Sequence, residues 1–194
     1  MPQVEENILL ILSSPSGAGK TTLTKKIQQK YQNFKISVSC TTRSPRDNEV
    51  DGVDYHFVSD KKFKDLIKTN SFYEYAKIFE HYYGTLKSSV DQILKKNDIL
   101  FDIDWQGTKQ LSKFKNLNLV KVYLTTENKN ELKKRLISRN QNSLSEVEKR
   151  FNSFDEDIKH WNDYDYVIIN KNLEVCFKQL EKIIKSEKTL PLFK

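Results

Sequence analysis

Eight consecutive residues, Ser14-Pro15-Ser16-Gly17-Ala18-Gly19-Lys20-Thr21, have the types and spacing to bind a chain of phosphates. Small side chains let successive backbone N–H groups converge on phosphate oxygens, and a helix starting at the end of the loop adds the positive end of its dipole. Lys20 is placed to bridge the β- and γ-phosphates of a nucleoside triphosphate, and the Thr21 hydroxyl to coordinate Mg²⁺. The run departs from G-x-x-x-x-G-K-[ST] in Ser14, which stands at the first Gly position and either takes an ordinary φ or carries strain. Such a site also wants an acidic residue closing a neighbouring buried strand, to orient the metal and its waters. Asp102, at the end of Asp98-Ile99-Leu100-Phe101-Asp102, is the candidate, while Asp104 is better placed to cap a helix starting at Trp105.

Of the 33 cationic side chains only five are arginines, Arg43, Arg46, Arg135, Arg139 and Arg150. Lysine serves as the general solubilising cation, so each Arg is a candidate for planar, two-pronged recognition of an oxyanion. Arg43 and Arg46, three apart on a loop preceding Tyr55 and Tyr83, suggest a second anion site. Arg135 and Arg139 share a helical face, and Arg150 lies beyond an interruption at Gln141 and Asn142. A closing segment with three guanidinium groups could neutralise a phosphoryl group in transit. Two anion sites, one lacking a nucleophile of its own, suggest phosphoryl transfer onto a second phosphate; that acceptor is ionised at neutral pH and needs no general base. His56, His81 and His160 are scattered and read as structural or surface residues.

These groups must be positioned by a chain of 194 residues, enough for one α/β domain. Residues 8–13 predict a buried parallel strand, followed by the small-residue loop and a helix over Lys20–Lys30 with Leu23 and Ile27 four apart. A half-buried strand over 35–39, a polar loop through Asp51 and Gly52, a strand over 55–58, a helix over 61–69 and alternating aromatics over 72–83 predict a small mixed β insertion. A helix over 88–96 precedes further buried strands at Asp98–Asp102, 119–124 and Tyr166–Ile169, each followed by a helical pattern. Strands alternating with helices imply a doubly wound parallel sheet. Helix over 131–140 breaks at Gln141 and Asn142, and Ser143 with Glu146 forms a capping box restarting it; that break marks a mobile lid.

Composition narrows the classes further. With 9 Tyr, 11 Phe and 2 Trp the chain is well stocked for a folded core, and its +7 charge fits either a polyanionic partner or a lysine-rich surface. No nucleic-acid docking motif accompanies that charge, so solvated lysines explain it better than nucleic acid does. Cys40 and Cys176, far apart, make neither a metal motif nor a disulfide framework, and the longest apolar run is too short for a bilayer. A soluble cytoplasmic protein without a membrane partner is expected. A GTPase would want Asn-Lys-x-Asp, but Asn170-Lys171-Asn172 is followed by Leu173.

The chain resembles guanylate kinases. The resemblance runs nearly end to end, through Ser14 to Thr22, Ser37-Val38-Ser39-Cys40-Thr41-Thr42-Arg43-Ser44-Pro45-Arg46, Gly52-Val53-Asp54-Tyr55-His56-Phe57, Tyr82-Tyr83-Gly84-Thr85, Asp102-Ile103-Asp104-Trp105-Gln106-Gly107 and Lys134-Arg135-Leu136. It implies ATP and GMP giving ADP and GDP with Mg²⁺, on a P-loop NTPase three-layer α/β fold with a central parallel sheet. It also implies a core (1–36, 88–134 and 160–194), a GMP-binding insertion (37–87) and a helical lid (135–159), in a monomer or homodimer.

By the same resemblance, Ser14, Pro15, Ser16, Gly17, Ala18, Gly19, Lys20, Thr21, Thr22, Arg135 and Asn170 hold ATP. Arg43, Arg46, Tyr55 and Tyr83 grip the GMP phosphate, and Ser39, Glu74, Thr85 and Asp104 read guanine. Lys20, Arg43, Arg135, Arg139 and Arg150 act in catalysis, and Thr21 with Asp102, through water, serves the metal. Guanine offers adjacent N1–H and N2–H donors that one carboxylate accepts together, which suits Glu74; without the resemblance Glu74 reads as a surface acid. Asn140 and Lys171 depart from the family, where Gly and an acidic residue are usual. The runner-up is a guanylate-kinase-like protein-binding module without catalysis, but such modules degrade the P-loop or lid arginines retained here.

Overall fold

The computed structural model describes residues 7–138 and 144–189. Leu9–Ser13 (β1) is buried at every position, the pattern of a strand covered on both faces. It lies at the centre of a five-stranded parallel sheet, between Asp98–Asp102 (β7) and Leu119–Thr125 (β8), with Phe34–Ile36 (β2) and Tyr166–Ile169 (β9) at the edges. Alternate side chains divide between the two faces. Leu10 and Leu12 pack with Leu23 and Ile27 of Lys20–Lys30 (α1), Leu132 and Leu136 of Lys129–Ser138 (α5), Phe154 of Leu144–Asp157 (α6), and Leu180 and Ile184 of Leu173–Thr189 (α7). Leu9 and Ile11 pack with Val90 of Lys87–Leu94 (α3) and Leu111 of Trp105–Leu111 (α4). The molecule is a three-layer α/β fold.

A second, four-stranded mixed sheet has the order β4-β3-β6-β5, from Cys40–Thr41 (β3), His56–Phe57 (β4), Phe72–Ile78 (β5) and His81–Leu86 (β6). Its own core forms where Phe63 of Asp60–Lys68 (α2) stacks between Phe72 and Tyr82, with ring centroids 4.6 and 5.3 Å apart. The single strand expected over 35–39 is not continuous. Phe34–Ile36 follows β7 in the central sheet, whereas Cys40–Thr41 pairs with Tyr83 and Gly84 in the second. The chain changes partners between two sheets there, and its polar and apolar pattern carries no mark of the switch. The interruption at Gln141 and Asn142, Ser143 of the expected capping box, and Arg139 and Asn140 lie outside the described residues.

The sheet's topology sets the site. In a parallel sheet the loops at the carboxyl ends of the strands gather on one edge. Here that edge carries the loop after β1, Asp102 at the end of β7, and Asn170 after β9.

Candidate active site

The loop after β1 turns through Gly17 and Gly19, both in the left-handed region with φ of +95° and +106°. Gly19 is the N-cap of α1 and offers no side-chain cap, so the helix's first N–H groups face the loop's concavity rather than a capping oxygen. A side chain at Gly19 would be strained and would set its Cβ 2.5 Å from Asn170 Nδ2. Ser14 is not among the residues with positive φ; its replacement of Gly costs no left-handed strain. The Lys20 ammonium pairs with the Asp102 carboxylate and also reaches the Ile103 carbonyl at 3.4 Å.

Asn170, expected among the residues that hold ATP, is 4% exposed and holds the loop itself. Its Nδ2 donates to the Ala18 carbonyl at 2.7 Å, and its Oδ1 faces Cys176 Sγ at 3.4 Å. Arg135 extends this from α5, Nη2 donating to the Asn170 carbonyl at 3.0 Å and Nε to Glu131 at 3.1 Å. Together with Gly17, Gly19 and Thr22 they line a depression of about 310 Å³ that also includes Lys171, whose ammonium pairs with Glu127.

A larger cleft of about 530 Å³ joins the loop to the second sheet. Ser14, Pro15, Ser16, Gly17, Gly19, Lys20 and Thr21 line one end, Ser39, Arg43, Arg46, Tyr55, Glu74 and Tyr83 the other, and Asp102, Asp104 and Arg150 lie between. Ala18 within the loop and Thr85 beside Glu74 on β6 are fully buried and do not line this cleft. Arg150, on α6, donates to Ser16 Oγ at 3.2 Å. Residues from five separate stretches thus meet in one space.

Glu74 is not at the surface: it is 4% exposed. It faces the cleft together with Ala76, whereas Phe72 packs on the other face of β5 against Phe63; a register shift between Phe72 and Glu74 interrupts the strand's period of two there. Burial pushes its carboxyl up to about 7, against hydrogen bonds from Thr85 that favour the ionised form. Thr85 is its register partner on β6 and lies 3.4 Å, oxygen to oxygen, from the Ser39 hydroxyl. Asp104 caps α4, accepting from the Gly107 N–H at 3.0 Å and from Gln106 Nε2 at 3.1 Å. Its carboxylate both caps the helix and faces the cleft.

The arginine loop contains a residue that the sequence reading passed over. Glu49 takes Arg43 in a fork, Nη1 to Oε2 at 2.8 Å and Nη2 to Oε1 at 2.9 Å, and accepts from the Arg46 N–H at 2.9 Å. These bonds to Arg43 hold the Glu49 carboxyl below its usual range. Arg43 also lies over the Tyr55 ring at 5.4 Å, and burial pushes the Tyr55 hydroxyl up to about 12. The signal was the spacing: Glu49 lies six residues after Arg43 and three after Arg46, within reach of both in a turn. Asp157 was also missed, although Arg150, Ser153 and Asp157 follow helical spacing on α6. It lines the cleft, where burial and then Asp104 push its carboxyl up to about 6.

The guanylate kinase family model matches residues 6–187. Guanylate kinase of Paramagnetospirillum magneticum is 41% identical over 182 residues, covering 93% of this chain and 85% of that protein. Guanylate kinase of Rickettsia prowazekii is 42% identical over 184 residues, covering 94% and 93%. The crystal structure of guanylate kinase from Anaplasma phagocytophilum gives a TM-score of 0.77 at 27% identity, over 96% of this chain and 88% of that one. The SH3-kinase fragment of tight junction protein 3 shares the fold at a TM-score of 0.53 and 10% identity, over 99% of this chain and 61% of that one. With most of its length matched in this way, the chain belongs to the guanylate kinase family.

Proposed function

We propose that this protein transfers the γ-phosphoryl group of ATP to GMP, and to dGMP, giving ADP and GDP or dGDP. The observation that carries the proposal is the single cleft with the glycine loop and Lys20 at one end and Arg43, Arg46 and the buried Glu74 at the other. The backbone N–H groups around Gly17–Lys20 would hold the β-phosphate, with Lys20 exchanging Asp102 for a phosphate oxygen. Arg135 and Asn170 would flank the ATP base and ribose. Arg43, Arg46, Tyr55 and Tyr83 would hold the GMP phosphate, while Ser39, Glu74, Thr85 and Asp104 would read guanine.

In the transfer, an oxygen of the GMP phosphate bonds to the γ-phosphorus as the bond to the β-phosphate oxygen breaks, and ADP carries away the negative charge. Arg139 and Arg150, on a lid spanning 135–159, would close over the charge spread in transit. The Thr21 hydroxyl and the Asp102 carboxylate, through water, are hard oxygen donors suited to Mg²⁺. Among the described residues no group of three or more His, Cys, Asp or Glu could cage a metal, so such an ion would rely on phosphate oxygens for its remaining ligands. When bound, Mg²⁺ supplies charge neutralisation on the β- and γ-phosphates.

The cellular reading is purine nucleotide metabolism in the cytoplasm. No helix among the described residues is long and apolar enough to cross a membrane, and Cys40 and Cys176 are both buried thiols, as suits a reducing compartment.

A coupled ADP-release assay with GMP, AMP, dTMP and CMP side by side tests the proposal. GMP should turn over at least about a hundredfold faster than AMP, a factor within reach of buried hydrogen-bond readout, and Lys20→Ala should abolish the signal. Turnover with no acceptor would favour the protein-binding alternative, and equal turnover of GMP and AMP would remove the guanine assignment.

A further inference from the structure

Gly107 is buried at the third position of α4, between the two carboxylates that line the base end of the cleft. Its N–H holds Asp104 Oδ1 at 3.0 Å. A Cβ built on it would stand 2.6 Å from Glu74 Oε2 and 3.1 Å from Glu74 Cδ, with Ile103 Cβ at 3.3 Å. Thr85, its fully buried register partner on β6, hydrogen-bonds the Glu74 carboxyl, so a Cβ that pushed the carboxylate aside would have to loosen those bonds.

We infer that Gly107 is a specificity-determining position, a gap in α4 that lets the Glu74 carboxylate reach its working place; the inference rests on the guanine reading of Glu74 above. The residue touches no substrate and acts through Glu74, so it is a positioning residue. Its helical setting sharpens the argument. Glycine inside a helix is normally a liability that alanine relieves, and neither a positive φ nor a turn requires one at this position. The close approach of Glu74, tighter than that of Ile103, is the chief remaining demand.

The discriminating acceptor pair is GMP against IMP, which lacks only the 2-amino group and therefore one of the two donors that a single carboxylate accepts. In the unmodified enzyme GMP should be preferred. Gly107→Ala should lower the GMP to IMP ratio of kcat/KM by at least about tenfold, the loss expected for one hydrogen bond to a charged group, and leave KM for ATP unchanged. In a Glu74→Ala background the same substitution should produce no further loss of the ratio, and it should lower Tm less than it does in the unmodified chain. That thermal comparison decides the matter even if Gly107→Ala alone folds poorly.

A preference for GMP that survives Gly107→Ala, or equal effects of that substitution in both backgrounds, overturns the inference while leaving the guanine reading intact. An unmodified enzyme that does not distinguish GMP from IMP removes the reading itself, and the inference with it.

Discussion

Glu74 must be ionised to accept two donors, yet burial pushes its carboxyl up from an ordinary 4.5 to about 7. Below that pH the empty enzyme holds the group largely neutral, so kcat/KM for GMP should rise as pH climbs to about 7 and flatten above it. Glu74→Gln should erase this rise and lift KM for GMP at least about tenfold, with KM for ATP little changed. Ionisation of the GMP phosphate itself, near pH 6, persists in the variant and separates the two effects. The stability consequence has the opposite sign. A folded pKa above the unfolded one means the folded chain binds the extra proton between about 4.5 and about 7, so stability falls as pH rises through that window and stays lower above it. Calorimetry at mildly alkaline pH should therefore find Glu74→Gln melting a few degrees higher than the parent; a lower Tm there contradicts the burial argument.

Arg43 makes a second prediction at this scale. Of its five N–H donors, Ser44 and Glu49 take three, both on Nη1 and one on Nη2, and Tyr83 hydrogen-bonds the guanidinium as well. Glu49 thus fixes the plane of the guanidinium. Steady-state kinetics of Glu49→Ala should show KM for GMP raised by about tenfold; a lowered KM would mean that Glu49 competes with the acceptor phosphate instead of orienting its ligand. The arginines were legible in the sequence because only five exist among 33 cations. Glu74 was legible only through the family resemblance and Glu49 not at all, since 26 acids look alike until strand register and loop geometry single out two of them.

At the scale of elements, the loop between β1 and α1 is held from behind. Asn170 links the end of β9 to the Ala18 carbonyl, and Arg135 ties α5 to the same residue. Asn170→Ala leaves that buried carbonyl without its side-chain partner, at a cost of about 1–3 kcal/mol. It should lower Tm by roughly 2–4 °C for each kcal/mol in a chain of this size and raise KM for ATP more than KM for GMP. A large loss of GMP binding with ATP unaffected would contradict this tether. The helix over Lys20–Lys30 could be read to the residue, because the glycine loop, the spacing of Leu23 and Ile27 and the polar remainder all agree. The passage from β2 to β3 could not, since hydrogen-bond partners, not side-chain pattern, decide where one sheet ends and the next begins.

Across the whole molecule, the parallel sheet supplies a rigid edge and the second sheet faces it across the cleft. Two long-range contacts bring α6 and its following turn to that edge. Arg150 reaches Ser16, and His160 of the 3₁₀ turn Ile158–Asp163 stacks on Trp105 at the start of α4, with ring centroids 3.7 Å apart and planes within 9°. Sequence periodicity conveyed the layers and their order, but the convergence of residues as distant as Ser16 and Arg150 is a property of the closed topology. The central claim is that one phosphoryl group crosses this cleft directly between two nucleotides. Turnover of GMP with ATP made chiral at the γ-phosphorus by oxygen isotopes and sulfur tests it most directly. A single in-line transfer predicts inversion at phosphorus, with all label in the β-position of GDP; retention of configuration, or release of the label as inorganic phosphate, would contradict it.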